Sequence, residues 1–271
     1  GQLLQRLTHV NADTVDPQWA PDCGTLRLAY QSKERGNWDI HVLDVSTMAD
    51  RRLTDSLADD VNPNWSPKDQ RIAFESNRDG HWQIYIMNHD GSDQRRLITS
   101  NADDRYPVWS HDGSMLAFES NRDGRWQVYV FNLATGEVIN ASQGMGYEVN
   151  PAWSPDDSRI AFQSSRYGSW DILVVNADGS GLVRLTDSWQ DEVVPTWSCD
   201  GTEVIFQGEI EEENWGTQTW NWELFGISAD GSGTPHRLTN LWPFDGIPVW
   251  CLPENDGRRI FNRWLPWKVA F

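Results

Sequence analysis

Residues 63–85, PNWSPKDQRIAFESNRDGHWQIY, decide the fold because close copies of this stretch recur along the chain. Each copy opens with P-x-W, and successive tryptophans of this motif stand 44 to 53 residues apart. The six tryptophans are Trp19, Trp65, Trp109, Trp153, Trp197 and Trp250. A period in the forties is the signature of tandem structural repeats, so the chain is predicted to be one array of similar units.

Within each copy, turn residues alternate with short apolar runs. In the copy that begins at Pro63, the polar stretch SPKDQ leads into RIAFES, NRDG leads into WQIYIMN, and HDGS precedes RRL. Short runs rich in Ile, Phe and Tyr, bounded by Asp, Asn and Gly, are typical of strands joined by hairpins. Each copy therefore predicts a four-stranded antiparallel meander, and the fold class is all-β.

The two ends of the array complement each other. Residues 2–8, QLLQRLT, match the outer-strand segments RRLT, VRLT and HRLT, although no copy precedes them. The last copy, residues 248–271, has no outer-strand segment of its own. We therefore predict a single domain over residues 1–271, a six-bladed β-propeller of four-stranded antiparallel blades. Its ring is closed by residues 3–8, which complete the last blade beside residues 268–271 and remove a free sheet edge.

These copies resemble the TolB-type (WD40-like) β-propeller repeat, whose pattern is close to D-x-x-P-x-W-S-P-D-G-x-x-I-A-F-x-S-x-R-D-G-x-W-x-I-Y. The copies that begin at Pro63, Pro107 and Pro151 fit best, and the resemblance covers essentially the whole chain. It implies a binding platform, since TolB itself binds peptidoglycan-associated lipoprotein in the periplasm. The resemblance thus predicts a non-catalytic protein–protein interaction scaffold, periplasmic or extracellular, in an envelope or membrane-associated complex.

An enzyme is the alternative interpretation. Propellers with six or seven blades include calcium-dependent lactonases and sugar lyases, and carboxylates at the channel mouth would serve such chemistry here by analogy of fold alone. The sequence contains neither a G-x-S-x-G nucleophile motif nor an H-E-x-x-H metal motif. We therefore predict no catalytic residue and no cofactor, with Ca²⁺ as the one candidate ion.

Composition limits the class of partner. The formal net charge is −18 and no basic stripe is present, so a nucleic acid is not an expected partner. The chain contains no apolar run of about 18 residues, and we therefore predict no transmembrane segment. Another protein is the expected partner.

A column of acidic residues precedes the P-x-W tryptophans by five positions. It contains Asp60, Asp104, Glu148, Glu192 and Asp245. These residues lie where loops lead into the innermost strands, so they are expected to ring one mouth of the central channel. Two interpretations stay open: the carboxylates bind calcium through oxygen ligands, or they accept hydrogen bonds from loop amides and serve the repeat.

Large apolar residues interrupt the repeat in the same loops. Eight positions before the tryptophan stand Met145, Trp189 and Trp242, and Tyr147 and Phe244 replace acidic residues beside them. Such a patch with an acidic rim is typical of a protein-binding surface, unless the rings fold inward and plug the channel. A second departure is an insertion around residues 209–220, which predicts an extended hairpin that presents Trp215 and Trp220 to a partner.

The three cysteines are Cys23, Cys199 and Cys251, each in or just before the first hairpin of its copy. A disulfide that joins Cys251 to Cys23 or to Cys199 is one interpretation, and small buried thiols are the other.

Overall fold

The computed structural model describes residues 7–8, 12–21, 24, 26–214 and 217–239, with the backbone alone at 212–214 and 217–220. The chain divides into two compact units, Gly1–Ser114 and Met115–Phe271. Every regular element in these ranges is a β-strand, which confirms the all-β fold class. The same ranges contain no helix with the length and apolar character that a membrane crossing requires.

The described part of the first unit contains nine strands, most of them six residues long. They are β1 Thr14–Trp19, β2 Arg27–Ser32, β3 Asp39–Asp44, β4 Ala49–Arg52, β5 Asp60–Trp65, β6 Arg71–Ser76, β7 Gln83–Asn88, β8 Arg95–Arg96 and β9 Asp104–Trp109. Two four-stranded antiparallel sheets lie wholly within this unit, in the orders β1-β2-β3-β4 and β5-β6-β7-β8. Both sheets are the simple meanders that the sequence predicts.

The second unit continues the same pattern. Its strands are β10 Met115–Ser120, β11 Gln127–Asn132, β12 Val138–Asn140, β13 Glu148–Trp153, β14 Arg159–Ser164, β15 Asp171–Asn176, β16 Val183–Arg184, β17 Glu192–Trp197, β18 Glu203–Asn214, β19 Thr217–Ser228 and β20 His236–Arg237. Strands β10-β11-β12, β13-β14-β15-β16 and β17-β18-β19-β20 pair in chain order. Strands β18 and β19 are 12 residues each, so the predicted extended hairpin is confirmed.

Tryptophans at the ends of the first strands join successive sheets within each unit. The indole Nε1 of Trp109 donates to the backbone oxygen of Asn64 at 3.1 Å, and Trp197 donates in the same way to Ala152 at 3.0 Å. Both rings are buried, and the guanidinium of Arg159 lies 4.8 Å from the ring centroid of Trp197. The P-x-W motif therefore recurs because its indole ring packs one repeat against the preceding one, and at Trp109 and Trp197 the N–H adds a hydrogen bond.

A bulge before each proline aims a backbone N–H at the preceding sheet. Asn62, Tyr106, Asn150 and Val194 all have positive φ, between 50° and 56°. We number the repeats by their P-x-W copies, so the fifth repeat contains Trp197. There the N–H of Val194 donates to Oε1 of Gln163 at 2.9 Å, and in the fourth repeat the N–H of Asn150 donates likewise to Glu119 at 2.8 Å. The bulge thus satisfies a backbone donor that an ordinary strand would leave unpaired at this position.

Several predictions about the ends of the array lie outside the described residues. These are the sixth copy from Pro248 onward, residues 3–6 and the closing segment 268–271. Cys199 is disulfide-bonded, whereas Cys23 and Cys251 belong to the part that is not described.

Candidate functional site

The acidic column begins the first strand of successive repeats. Asp60, Asp104, Glu148 and Glu192 are the first residues of β5, β9, β13 and β17. All four side chains are buried. Burying a carboxylate costs several kcal/mol unless hydrogen bonds or a counter-charge compensate, so the partners of each acid decide what it can do.

An arginine of the same sheet holds two of these acids. The Nη2 atom of Arg78 lies 2.9 Å from each carboxylate oxygen of Asp60, and Nη2 of Arg166 lies 3.1 Å from Oε2 of Glu148. In both repeats the arginine Nε also donates to a serine hydroxyl at the end of the second strand, Ser76 or Ser164. We call this arrangement the arginine clamp. Burial raises the pKa of Glu148 and the clamp opposes that shift.

The acids one position earlier accept backbone hydrogen bonds. Oδ1 of Asp59 accepts the N–H of Trp38 at 2.9 Å, and Oδ1 of Asp191 accepts the N–H of Trp170 at 2.9 Å. These contacts favour the structural interpretation of the acidic loops. No group of three or more His, Cys, Asp or Glu side chains among the described residues is placed to hold a metal, and Asp245 lies outside them. Calcium binding stays a prediction that these contacts do not support.

Glu192 differs from its counterparts. Ser188 Oγ donates to its Oε1 atom, but its buried Oε2 atom has neither a hydrogen-bond partner nor the arginine that lies 3.1 Å from the equivalent Oε2 atom of Glu148. Ile210 stands where the clamp arginine stands in the second and fourth repeats. Burial raises the pKa of Glu192 to about 7; hydrogen bonds from Ser188 and Thr186 oppose the shift, and the charges of Asp171 and Asp191 add to it. In the sequence Glu192 stands in the same column as the other acids, and Ile210 is the residue that marks it as different.

Exposed apolar side chains lie beside these acids in the second unit. Met145 is 86% exposed, Trp189 is 71% exposed and Tyr147 is 50% exposed. Strands β13 and β17 pack against each other, so the loops that lead into them lie at one edge. The three predicted residues that the structure describes therefore lie in loops at this edge, and their side chains are exposed. Of the remaining predicted residues, Trp242, Phe244 and Trp215 lie outside the described part, and only the backbone of Trp220 is described.

Tyr167 extends this surface and was missed from the sequence. It is 51% exposed, and the guanidinium of Arg184 lies 4.3 Å from its ring centroid. Ser165, two residues before it, exchanges two hydrogen bonds with Tyr147, and Ser169 Oγ donates to the backbone oxygen of Ser188. We call Met145, Tyr147, Tyr167 and Trp189 the apolar edge.

Two glycines let the Met145 loop lie directly on the arginine clamp. A Cβ at Gly146 would stand 2.5 Å from the backbone nitrogen of Arg166, and one at Gly144 would stand 2.1 Å from Oε1 of Glu148. Only glycine fits this close approach. Arg125 also donates to the backbone oxygen of Met145, so the loop is held from both sides while the Met145 side chain projects outward.

A shallow polar cavity of about 420 Å³ adjoins the loop. Its lining includes Asp123, Arg125, Gln127 and Met145. The apolar edge is thus bordered by a polar recess on one side and by acidic side chains on the other.

Comparisons with known proteins agree with this architecture. The family model described as TolB beta propeller domain matches residues 2–105 and 105–215. A search of curated proteins gave no match.

Three solved structures illustrate the likeness. The putative TolB from Agrobacterium tumefaciens is 24% identical with a TM-score of 0.66, and the alignment covers 85% of this chain and 82% of that one. TolB from Acinetobacter baumannii is 22% identical with a TM-score of 0.59, over 83% of this chain and 54% of that one. An oligogalacturonate lyase in complex with manganese is 17% identical with a TM-score of 0.66, over 86% and 68%.

At these identities the likeness shows the fold alone. The chain spans about half the length of the Acinetobacter protein.

Proposed function

Because the chain belongs to the TolB beta propeller domain family, we propose that it is a non-catalytic scaffold for protein–protein interaction whose partner binds the apolar edge. The observation that carries this proposal is the exposure of Met145, Tyr147, Tyr167 and Trp189 along one edge of the second unit. A cluster of exposed apolar and aromatic side chains is uncommon on a surface that only faces water. Aromatic anchors with a polar rim are the usual composition of a protein-binding hot spot.

The surroundings of the edge suit a protein partner with basic groups. Asp187, Asp191 and Glu209 lie in or beside the same loops, and the formal net charge of the chain is −18. A negative surface accelerates the encounter with a positive partner and disfavours acidic ones.

The enzyme alternative receives less support from the geometry. A calcium-dependent lactonase or sugar lyase would use the first-strand carboxylates, but Asp60 and Glu148 are held by arginines of their own sheets. A carboxylate that is neutralised by a buried arginine is poorly available to a metal or to a substrate proton.

We further propose a periplasmic or extracellular location within an envelope or membrane-associated complex. The disulfide at Cys199 supports this, since disulfides persist in oxidising compartments. We also propose that six blades complete the ring, with residues 3–8 closing the copy that begins at Pro248.

The test compares the intact protein with a Met145→Ser, Trp189→Ser double variant. Its matched control is Leu57→Ser, because Leu57 occupies the Met145 and Trp189 column in the second repeat and is 99% exposed. Proteins captured from the envelope fraction are identified by mass spectrometry, and the best candidate is purified for affinity measurement.

We expect the double variant to bind that purified protein at least about tenfold more weakly, a cost of about 1.4 kcal/mol or more. Leu57→Ser is expected to bind like the unmodified protein. Equal affinity of all three proteins would refute the assignment of the edge, and failure to capture any protein reproducibly would refute the scaffold.

A further inference from the structure

The repeats provide an internal comparison around Glu192. The pairing register matches Asp60 with Ser76, Glu148 with Ser164 and Glu192 with Gly208. Two residues after each partner come Arg78, Arg166 and Ile210 respectively. Residues two apart along a strand point to the same face of a sheet. Ile210 therefore lies on the face of Glu192, at the sequence position that the clamp arginine occupies in the second and fourth repeats.

The fifth repeat lacks both donors that its counterparts provide. Gly208 replaces the serine and Ile210 replaces the arginine. The buried Oε2 atoms of Glu148 and Glu192 both lack a hydrogen-bond partner, but only that of Glu148 has a guanidinium beside it, at 3.1 Å. Leaving a buried acceptor unsatisfied is unfavourable, and more so if the group is charged. Glu192 is also 7% exposed, whereas Asp60 and Glu148 are 0% exposed beneath their arginines. The Glu192 carboxylate thus lacks the counter-charge that Asp60 and Glu148 have, and it is less covered than they are.

No nearby cation of the described chain is available to replace the clamp. Arg184 of the fourth repeat is already engaged, because its Nη2 atom is 2.8 Å from Oδ1 of Asp171 and its guanidinium stacks on Tyr167. The charges of Asp171 and Asp191 act on Glu192, and the charge of Asp191 also acts on Glu209. All of these groups are acidic. The local field therefore attracts a positive group from outside.

We propose that Glu192 is the binding site for an arginine side chain of the protein partner, which supplies the guanidinium that Arg78 and Arg166 supply in their own repeats. The inference rests on the proposed function, because it assigns the chemistry of one contact to the partner at the apolar edge. Arginine fits better than lysine for two reasons. Its fork can donate to a carboxylate and a neighbouring oxygen together, as Arg78 and Arg166 do, and its plane can stack on the exposed Trp189 ring, three residues from Glu192.

The first experiment uses small probes and the whole chain. Acetyl-arginine amide, acetyl-lysine amide and the neutral acetyl-citrulline amide are titrated at about pH 8, where Glu192 is ionised. Binding is followed by the amide chemical shifts of residues 188–192 in an isotope-labelled sample. Two variants test the site: Glu192→Gln removes the charge, and Ile210→Arg restores the clamp within the chain.

We expect saturable binding of the arginine probe to the unmodified protein, with citrulline at least about tenfold weaker. Both variants should lose at least about tenfold in affinity for the arginine probe, Ile210→Arg because its own guanidinium occupies the site. Equal affinity of the arginine and lysine probes would overturn the choice of arginine. An arginine probe that binds both variants as well as the unmodified protein, or that fails to saturate the unmodified protein, would overturn the site.

The second experiment separates this inference from the proposed function. The protein captured through the apolar edge is tested against Glu192→Gln and Ile210→Arg, and both variants are expected to bind it at least about tenfold more weakly. If Met145→Ser, Trp189→Ser abolishes binding while both of these variants bind normally, the scaffold stands and the arginine site is wrong. If no partner is captured, the probe titration still decides whether Glu192 accepts a guanidinium.

Discussion

Val194 has the least favourable backbone of the bulge residues. Its φ is 54°, and among the described residues with positive φ it is the one with a β-branched side chain. Such residues rarely occupy the left-handed region, because Cβ crowds the backbone there. The equivalent residues Asn62 and Asn150 tolerate it better, and Nδ2 of Asn150 also donates to Oε1 of Gln163 at 2.8 Å.

We therefore expect Val194→Asn to stabilise the protein by about 1 kcal/mol, which raises Tm by about 2–4 °C in a chain of this size. Thermal unfolding followed by circular dichroism measures this. Val193→Asn, at a neighbouring position with ordinary φ, is the control and should bring no gain. A Val194→Asn protein that melts at or below the unmodified one would contradict the strain argument.

Glu192 should also make stability depend on pH. Its pKa is raised from its ordinary 4.5 to about 7 in the folded chain, chiefly by burial. Between these values the folded state binds a proton more readily than the unfolded state, so stability increases as pH falls from about 7 to about 4.5. Above about 7 the protein carries the full cost of a buried, partly unsatisfied carboxylate.

Replacement by glutamine removes this contribution. We expect Glu192→Gln to melt above the unmodified protein at about pH 8 and close to it at about pH 5, measured as Tm across this range. Burial also raises the pKa of Asp171, but that group is present in both proteins and cancels in the difference. The control is the exposed Glu137→Gln. Parallel Tm curves for the Glu192 variant and the unmodified protein would be the opposing result.

At the scale of elements, the strands were predictable because their signals are local. The P-x-W tryptophans Trp65, Trp109, Trp153 and Trp197 are each the last residue of a strand, and the acids five positions earlier are each the first. Turn chemistry fixes the next step: Asp200 accepts hydrogen bonds from Ser198 and Thr202, which lower its pKa to about 2. Interactions that span two to six residues are written in any one copy of the repeat.

The roles of the acids could not be predicted in the same way. Arg78 and Asp60 lie 18 residues apart and meet only when the first two strands of the sheet pair. The sequence shows both columns but not the contact between them, so calcium ligation and structural pairing are both compatible with it. The exception at Ile210 gains its meaning only once the clamp is known. Tyr167, by contrast, stands where Asp79 and Asp123 stand in other repeats. Aligning that turn across the repeats would have shown an aromatic residue in place of an acid.

At the scale of the whole molecule, the packing of Leu7 indicates how the array of repeats closes. Leu7 packs against Leu28, Tyr30 and Leu43 of the first repeat. Leu53, which follows an outer strand, is part of one hydrophobic cluster with Ile72, Phe74 and Met87 of the next repeat. Leu185 is part of the corresponding cluster with Val204, Phe206 and Ile227. These are equivalent positions. Leu7 therefore packs where the outer-strand leucine of a preceding repeat would pack against the first repeat. In the proposed ring, that preceding repeat is the copy that begins at Pro248.

This equivalence predicts a graded series of leucine substitutions. Leu185→Ala, which leaves a cavity at a buried position, should lower the free energy of unfolding by about 2–5 kcal/mol. Leu7→Ala, at the equivalent but half-buried position, should lower the free energy of unfolding by about half as much and lower Tm by several degrees. Leu57→Ala, at a fully exposed leucine, should leave Tm unchanged and serves as the control. A frayed terminus would place Leu7→Ala with Leu57→Ala, and closure of the ring by residues 3–8 would then have to be abandoned.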